Sequence, residues 1–239
     1  MDRKRFWLMA MKWHDLMFMH WPLKPEVLRP LLPAGLALDT YQGEAWIGIV
    51  PFRMTGVRPR LVPPVPGMSA FPELNVRTYV TAEGKRGVWF FSLDAANRLA
   101  VRVARWGFHL PYFDARMQCL PERDGIRYMS LRTHRDVAPA EFIASYRPTG
   151  PVRIPDPGSL DDFLTMRLCL YSAAPDGTIY RGDIAHPPWP LQPAEAEVER
   201  NTMADQLKIR LPDVPPLLHF AKRLDVVAWR IRKVASAST

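Results

Sequence analysis

An α+β fold built mainly from antiparallel strands follows from three features of the 239-residue chain. Proline occurs 25 times, roughly twice the usual share, and each interior proline costs a helix about 3 kcal/mol, which excludes a helical bundle. Apolar and polar residues alternate over short stretches, the period of a strand rather than of a helix. Glycine-containing turns separate those stretches, as hairpins require. The 48% hydrophobic content supplies a core for a single domain over 1–239, and no linker or repeat divides it.

Residues 6–21, rich in Trp, Met and Phe, alternate loosely and form the first expected strand. A short helix is expected over 25–33, because Pro25 is tolerated at a helix start and Pro33-Ala-Gly35 makes the chain turn. Gln42-Gly43 then turns into an apolar strand over 45–50. Pro59, Pro63, Pro64 and Pro66 make 56–68 a loop or an edge.

The clearest strand covers 71–80, with Leu74, Val76, Thr78 and Val80 on one face and Glu73, Asn75, Arg77 and Tyr79 on the other. A turn at 83–87 leads to its hairpin partner over 88–94. Leu99, Arg102 and Val103 recur at helical spacing within 98–105. Further strands are expected at 126–136, 165–173 and 178–185, the last two joined through Asp176-Gly177. Ser159 and Asp162 have the spacing of an N-cap box. The segment 217–234 fits two patterns: Leu217, Phe220, Leu224, Val227 and Ile231 suit a helix, whereas Val227, Trp229 and Ile231 alternate as in a strand.

The net charge of +8 comes from 25 Arg and 7 Lys scattered along the chain. They form no run, so no nucleic-acid partner is expected. Cys119 and Cys169 are too few for a thiolate metal site and suit reduced, buried thiols. The basic segment 2–5 precedes only six uninterrupted apolar residues before Lys12, too short for a secretory leader. No stretch approaches the ~20 apolar residues of a membrane span, and the expectation is a cytoplasmic protein with no membrane partner.

Neither a glycine-rich phosphate loop nor a G-x-S-x-G elbow occurs. His14, Asp15 and His20 lie close together, with the two histidines on one parity, but the pattern lacks a third clear ligand; no metal or other cofactor is expected. The polar face of the 71–80 strand is more informative. It is either a solvated sheet face or, if the sheet curls, the lining of a lumen. In a lumen, Glu73 and Arg77 stand about 13 Å apart along the strand, so each addresses a different part of a ligand. Arg77 suits a carboxylate through its fork, and Glu73 suits a proton.

Phe71-Pro-Glu-Leu-Asn-Val-Arg-Thr-Tyr-Val80, Ser92-Leu-Asp-Ala95, Phe163-Leu-Thr165 with Arg167 and Cys169-Leu-Tyr171, and His186-Pro-Pro-Trp-Pro-Leu191 resemble the uncharacterised YqjF-like family over most of the chain. Met166 and Leu168 depart from that family, which commonly has Glu and Tyr there. The family is similar to the acetoacetate-decarboxylase-like superfamily, and the stretch from His20 to Pro33 resembles the superfamily's strand-to-helix opening. The resemblance implies a curled antiparallel sheet or barrel enclosing a cavity, with short outer helices. It also places Glu73 at the position of an active-site glutamate.

Leu93-Asp94 and Leu99-Ala-Val101 are similar to the segment leading to the superfamily's catalytic lysine pair, but here that place reads Trp106-Gly-Phe-His-Leu-Pro111. Schiff-base decarboxylation needs a neutral amine and is therefore not expected. What remains is a protein that binds a small molecule, a small carboxylate by the chemistry of Arg77, with Asn75, Tyr79 and Tyr112 as further ligand-binding residues. The alternative is a lysine-independent enzyme acting on a small oxo- or hydroxy-acid, with Glu73 and His109 as acid and base and the tyrosines as oxyanion donors. A homo-oligomer is left open. A purely partner-binding role would instead expose an apolar patch around Trp189.

Overall fold

The computed structural model describes residues 6–234, and the basic segment 2–5 lies outside them. In chain order the elements are β1 (Met9–Leu23), α1 (Pro25–Leu28), β2 (Ala37–Leu38), β3 (Ala45–Pro59), β4 (Phe71–Ala82), β5 (Lys85–Ala95) and α2 (Arg98–Phe108). There follow β6 (Tyr112–Pro121), β7 (Ile126–Arg132), β8 (Glu141–Pro148), α3 (Leu160–Thr165), β9 (Cys169–Ala173), β10 (Ile179–Ala185), β11 (Gln192–Asn201), β12 (Leu217–Ala228) and β13 (Arg232–Lys233). The strands form one sheet in the order β13-β10-β9-β5-β6-β7-β8-β11-β12-β1-β3-β4-β2. Because β4 also pairs with β5, and β10 with β12, the sheet curls into a ring. Pairing is antiparallel except where β5 meets β6 and β9. α2 provides the crossover that a parallel β5–β6 pair requires.

Two apolar layers hold the curl. Met17, Met19, Ile47, Ile49, Leu74, Val76, Tyr128 and Phe142 form one, and Phe18, Val50, Phe52, Phe71, Val101 and Trp189 belong to the other. Each such side chain contributes about 1.5–3 kcal/mol on leaving water. Every residue of β4 except Pro72 and Thr81 is buried, so both of its faces are inside. The alternation that would suit a solvated sheet face therefore marks two different interiors here, one apolar and one polar.

β1 explains why the expected pairing of His14 with His20 on one face fails. Asp15 has φ 52°, and the register with β3 shifts between His14 and Met19. A bulge of this kind inverts the parity of a strand. Trp13 before it and Phe18 after it consequently both reach Trp189. His14 instead bonds the Thr55 hydroxyl, and His20 bonds Tyr79.

Several boundaries differ from the sequence expectation. β3 continues through 56–59, where a loop or edge was expected, because Gly56 at φ 61° lets the strand bulge and continue its pairing with β1. β7 stops at Arg132 rather than 136, and 165–168 is the end of α3 and a connection rather than strand. The ambiguous tail is the strand β12, because pairing with β1 along eleven positions satisfies its backbone. β6, β8 and β11 had no clear pattern; β11 contains Pro193 and three glutamates and is only half-covered.

α1 is one turn, followed by a 3-10 turn at Arg29–Leu31. α2 is capped by Asn97, whose side chain accepts from the Leu99 and Ala100 N–H groups, and it ends at His109 in the left-handed conformation. The expected cap at Ser159 is present on α3. Trp189 is buried, stacked at 5.9 Å on Trp13 and edge-on at 4.9 Å to Phe18. Trp189 itself therefore contributes almost no exposed apolar surface. No helix among the described residues is long and apolar enough to cross a membrane.

Candidate functional site

The polar face of β4 carries two hydrogen-bonded groups. At one end Glu73 is 3% exposed, and the Tyr112 phenol on β6 donates to its Oε2 at 2.8 Å. Burial lifts the Glu73 carboxyl to about 8; the Tyr112 bond pulls the other way, and the nearby Asp94 carboxylate adds to the rise. Burial, together with the Glu73 charge, keeps the Tyr112 phenol protonated well above its ordinary range. Beneath this pair, Asp94 and Arg132 form a fully buried fork with both bonds at 2.7 Å, and Tyr128 donates to the Glu73 carbonyl at 2.7 Å.

At the other end the C-terminus of α3 is planted against β4. The last carbonyls of a helix lack internal partners and carry its negative dipole end, and here they hold the polar side chains. Leu164 O accepts from Tyr79 Oη at 2.8 Å and from Arg77 Nη2 at 3.2 Å. Phe163 O accepts from Arg167 Nε at 2.7 Å, and Thr165 O from Trp189 Nε1 at 2.8 Å.

His20 Nε2 lies 2.6 Å from the Tyr79 oxygen. The phenol has one proton and gives it to Leu164 O, so His20 must donate through Nε2, leaving Nδ1 as a bare acceptor. Burial, then Arg77 and His219, hold the His20 imidazole well below its ordinary range; it is neutral. Gly48 on β3 makes room for this arrangement. A Cβ there would meet the His20 ring at 3.0–3.1 Å and Arg77 Cγ at 3.5 Å.

Asn75 Oδ1, Arg77 Nε and His20 Nδ1 are buried without a protein partner among the described residues, as are Trp13 Nε1 on β1 and Trp46 Nε1 on β3. Arg77 also has no carboxylate partner among them; its guanidinium lies 5.1 Å above the Phe18 ring. Of the residues expected from the sequence, Glu73 and Tyr112 meet at one end, Arg77 and Tyr79 meet at the other, and Asn75 lies between. His109 makes no hydrogen bond to any of them; its ring packs at 5.0 Å on Tyr180 of β10, because the left-handed cap turns it away from the Glu73 side chain.

His20 was visible in the sequence only as a weak metal ligand, and Gly48, Arg132 and His219 carried no pattern. Their places depend on the β1 bulge and on ring closure. None of the described lysines is buried, and Lys85 pairs with Asp183. Two clefts of about 570 and 520 Å³ open elsewhere, and neither is lined by any of these expected site residues.

The curled, mostly antiparallel sheet has the acetoacetate-decarboxylase-like fold. The acetoacetate decarboxylase of Legionella pneumophila superposes with a TM-score of 0.64 at 14% identity, over 95% of this chain and 87% of that one. The enduracididine biosynthesis enzyme MppR, complexed with pyruvate, gives 0.66 at 11% identity over 99% and 94%. An acetoacetate decarboxylase-like enzyme from Sphingomonas wittichii RW1 gives 0.63 at 13% over 96% and 94%. At such identities the likeness shows the fold alone. Residues 10–225 match the family DUF2071, an uncharacterized conserved protein, and the chain belongs to that family. The uncharacterized protein YqjF of Bacillus subtilis (strain 168) is 49% identical over 227 residues, 95% of this chain and 93% of YqjF.

Proposed function

We propose that the polar face of β4 binds a small carboxylate of the 2-oxo- or 2-hydroxy-acid class. The observation that carries this reading is Arg77, a buried guanidinium with no carboxylate partner among the described residues and an unbonded Nε. A buried charge is costly unless paired, and the α3 carbonyl dipole offsets only part of that cost. A ligand carboxylate completes the pairing through the guanidinium fork. Asn75 Oδ1 and His20 Nδ1 then accept from a hydroxyl or hydrated carbonyl, while Tyr79 and Gly48 fix the His20 ring. That MppR has been obtained with pyruvate supports the ligand class. The proposed setting is the cytoplasm, in keeping with the two free cysteines.

Calorimetric titration and thermal shift with pyruvate, acetoacetate and lactate test this. A ligand at a hundred times its Kd stabilises by about 2.7 kcal/mol, and that gain disappears in Arg77→Ala. An equal shift in wild type and variant refutes it.

The second reading, a lysine-independent enzyme, is favoured by Glu73. A carboxyl at about 8 holds or releases a proton near neutrality, and Tyr112 orients it. Glu73→Gln then retains ligand binding and abolishes turnover. If wild type converts no acid in a broad panel, the enzymatic reading fails and the binding reading stands.

A further inference from the structure

The two open clefts adjoin each other, because Arg98 and Thr133 line both. They lie apart from the buried face of β4. The smaller, about 520 Å³, is walled by Arg98, Arg102 and Arg105 of α2, by His134 and Arg135 after β7, and by Asp114 of β6 and Asp136. The larger, about 570 Å³, runs over Ala96 just after β5 and over Ala115, Met129, Leu131 and Ile143 on β6–β8, with Arg116, Gln118, Ser130 and Glu141 among its polar walls. Each has the volume of a small-molecule site.

The cationic end is unfavourable as it stands. Arg98, Arg102 and Arg105 recur at i, i+4 and i+7, on one face of α2, where like charges oppose helix formation. Arg98 moreover occupies the first turn, where a cation opposes the helix dipole. Internal compensation is incomplete. Asp114 takes the Arg102 fork at 2.7 and 3.2 Å and lies 3.2 Å from His134 Nδ1, and Arg105 donates to the Tyr112 carbonyl at 2.7 Å. Arg98 and Arg135 have no ion-pair partner among the described residues, so four guanidiniums face two carboxylates. An anion between Arg98, Arg105 and Arg135 would offset that excess, and the guanidinium fork matches phosphate geometry.

We propose that this groove binds an amphiphilic phosphate monoester, its phosphate among Arg98, Arg105 and Arg135 and its apolar part along Ala96, Met129, Leu131 and Ile143. The soluble and lipid-borne forms of that chemistry are distinguishable with octyl phosphate, inorganic phosphate, and phosphatidylcholine vesicles with and without phosphatidic acid. Calorimetry on the full chain should show octyl phosphate binding at least about tenfold more tightly than inorganic phosphate. Arg98→Ala with Arg135→Ala should weaken both without lowering the melting temperature, since neither side chain holds the fold and Arg98 opposes the α2 dipole. Leu131→Asp should weaken octyl phosphate while leaving inorganic phosphate unaffected. Variant-sensitive binding to octyl phosphate identifies a soluble ligand, and variant-sensitive binding confined to phosphatidic acid vesicles identifies a lipid headgroup. Binding to neither, or binding that the double variant leaves unchanged, overturns the proposal.

Discussion

Replacing Glu73 by glutamine should make the protein more stable in mildly alkaline solution. In the unfolded chain Glu73 titrates at its ordinary 4.5, whereas in the fold it titrates at about 8, chiefly because burial penalises the charge. Between those values the unfolded state has released its proton and the native state still holds one. The unfolded state therefore binds fewer protons, and native stability falls as pH rises. The stabilisation is fully present below pH 4.5 and is lost as pH rises through 8. Each pH step costs about 1.4 kcal/mol, which accumulates to roughly 4–5 kcal/mol across the window.

Glutamine mimics the protonated carboxyl and can still accept from Tyr112, so the variant lacks this slope while sharing every other titration. Urea unfolding of wild type and Glu73→Gln at successive pH values from 4.5 to 8.5 isolates the difference. The two should nearly coincide at pH 4.5, diverge steadily in favour of the variant as pH rises, and level off above about pH 8. Tyr112→Phe removes a bond that favours the ionised carboxyl and should move the midpoint upward. A difference independent of pH, or an infrared carboxyl titration centred near 4.5, would refute the reasoning.

Asp94→Ala should cost about 3–5 kcal/mol in urea unfolding, because Arg132 is left buried and unpaired; a loss below about 1 kcal/mol would show that water reaches the pair. Trp189→Ala should cost about 3–5 kcal/mol, since it empties the space between Trp13 and Phe18 and frees the Thr165 carbonyl. Gly48→Ala should cost about 1–3 kcal/mol through contact with the His20 ring at 3.0–3.1 Å. The same variant should weaken carboxylate binding in calorimetry; wild-type affinity in Gly48→Ala would separate His20 from the ligand site.

The strands that could be read from the sequence are those whose side chains meet different environments on their two faces. In β4, Leu74 and Val76 enter one apolar layer while Glu73 and Arg77 stand on the opposite side, so alternation located the strand and its polar side chains. β11 carries no comparable contrast, because half-covered alanine and glutamate residues suit an edge position as well as a loop. β12 was ambiguous because a helix and a strand can both bury Leu224; the backbone pairing of β1 decided it.

Residue type alone determined that this chain is built mainly from antiparallel strands, that its prolines and turns forbid a bundle, and that Glu73, Arg77 and Tyr79 share a strand face; the curl was implied only by the family resemblance. Tertiary structure decided what that face meets. One residue in the left-handed region, Asp15, reverses the parity of β1 and brings His20 onto the same face as Trp13, where it meets Tyr79. The short helix α3, remote in sequence, presents its terminal carbonyls to Arg77 and Tyr79. Arginines that form no run in sequence gather at one cleft only because α2 folds beside the turn after β7. Each of these outcomes depends on backbone atoms and on chain segments far apart, and the periodicity of side chains along one segment carries no information about either.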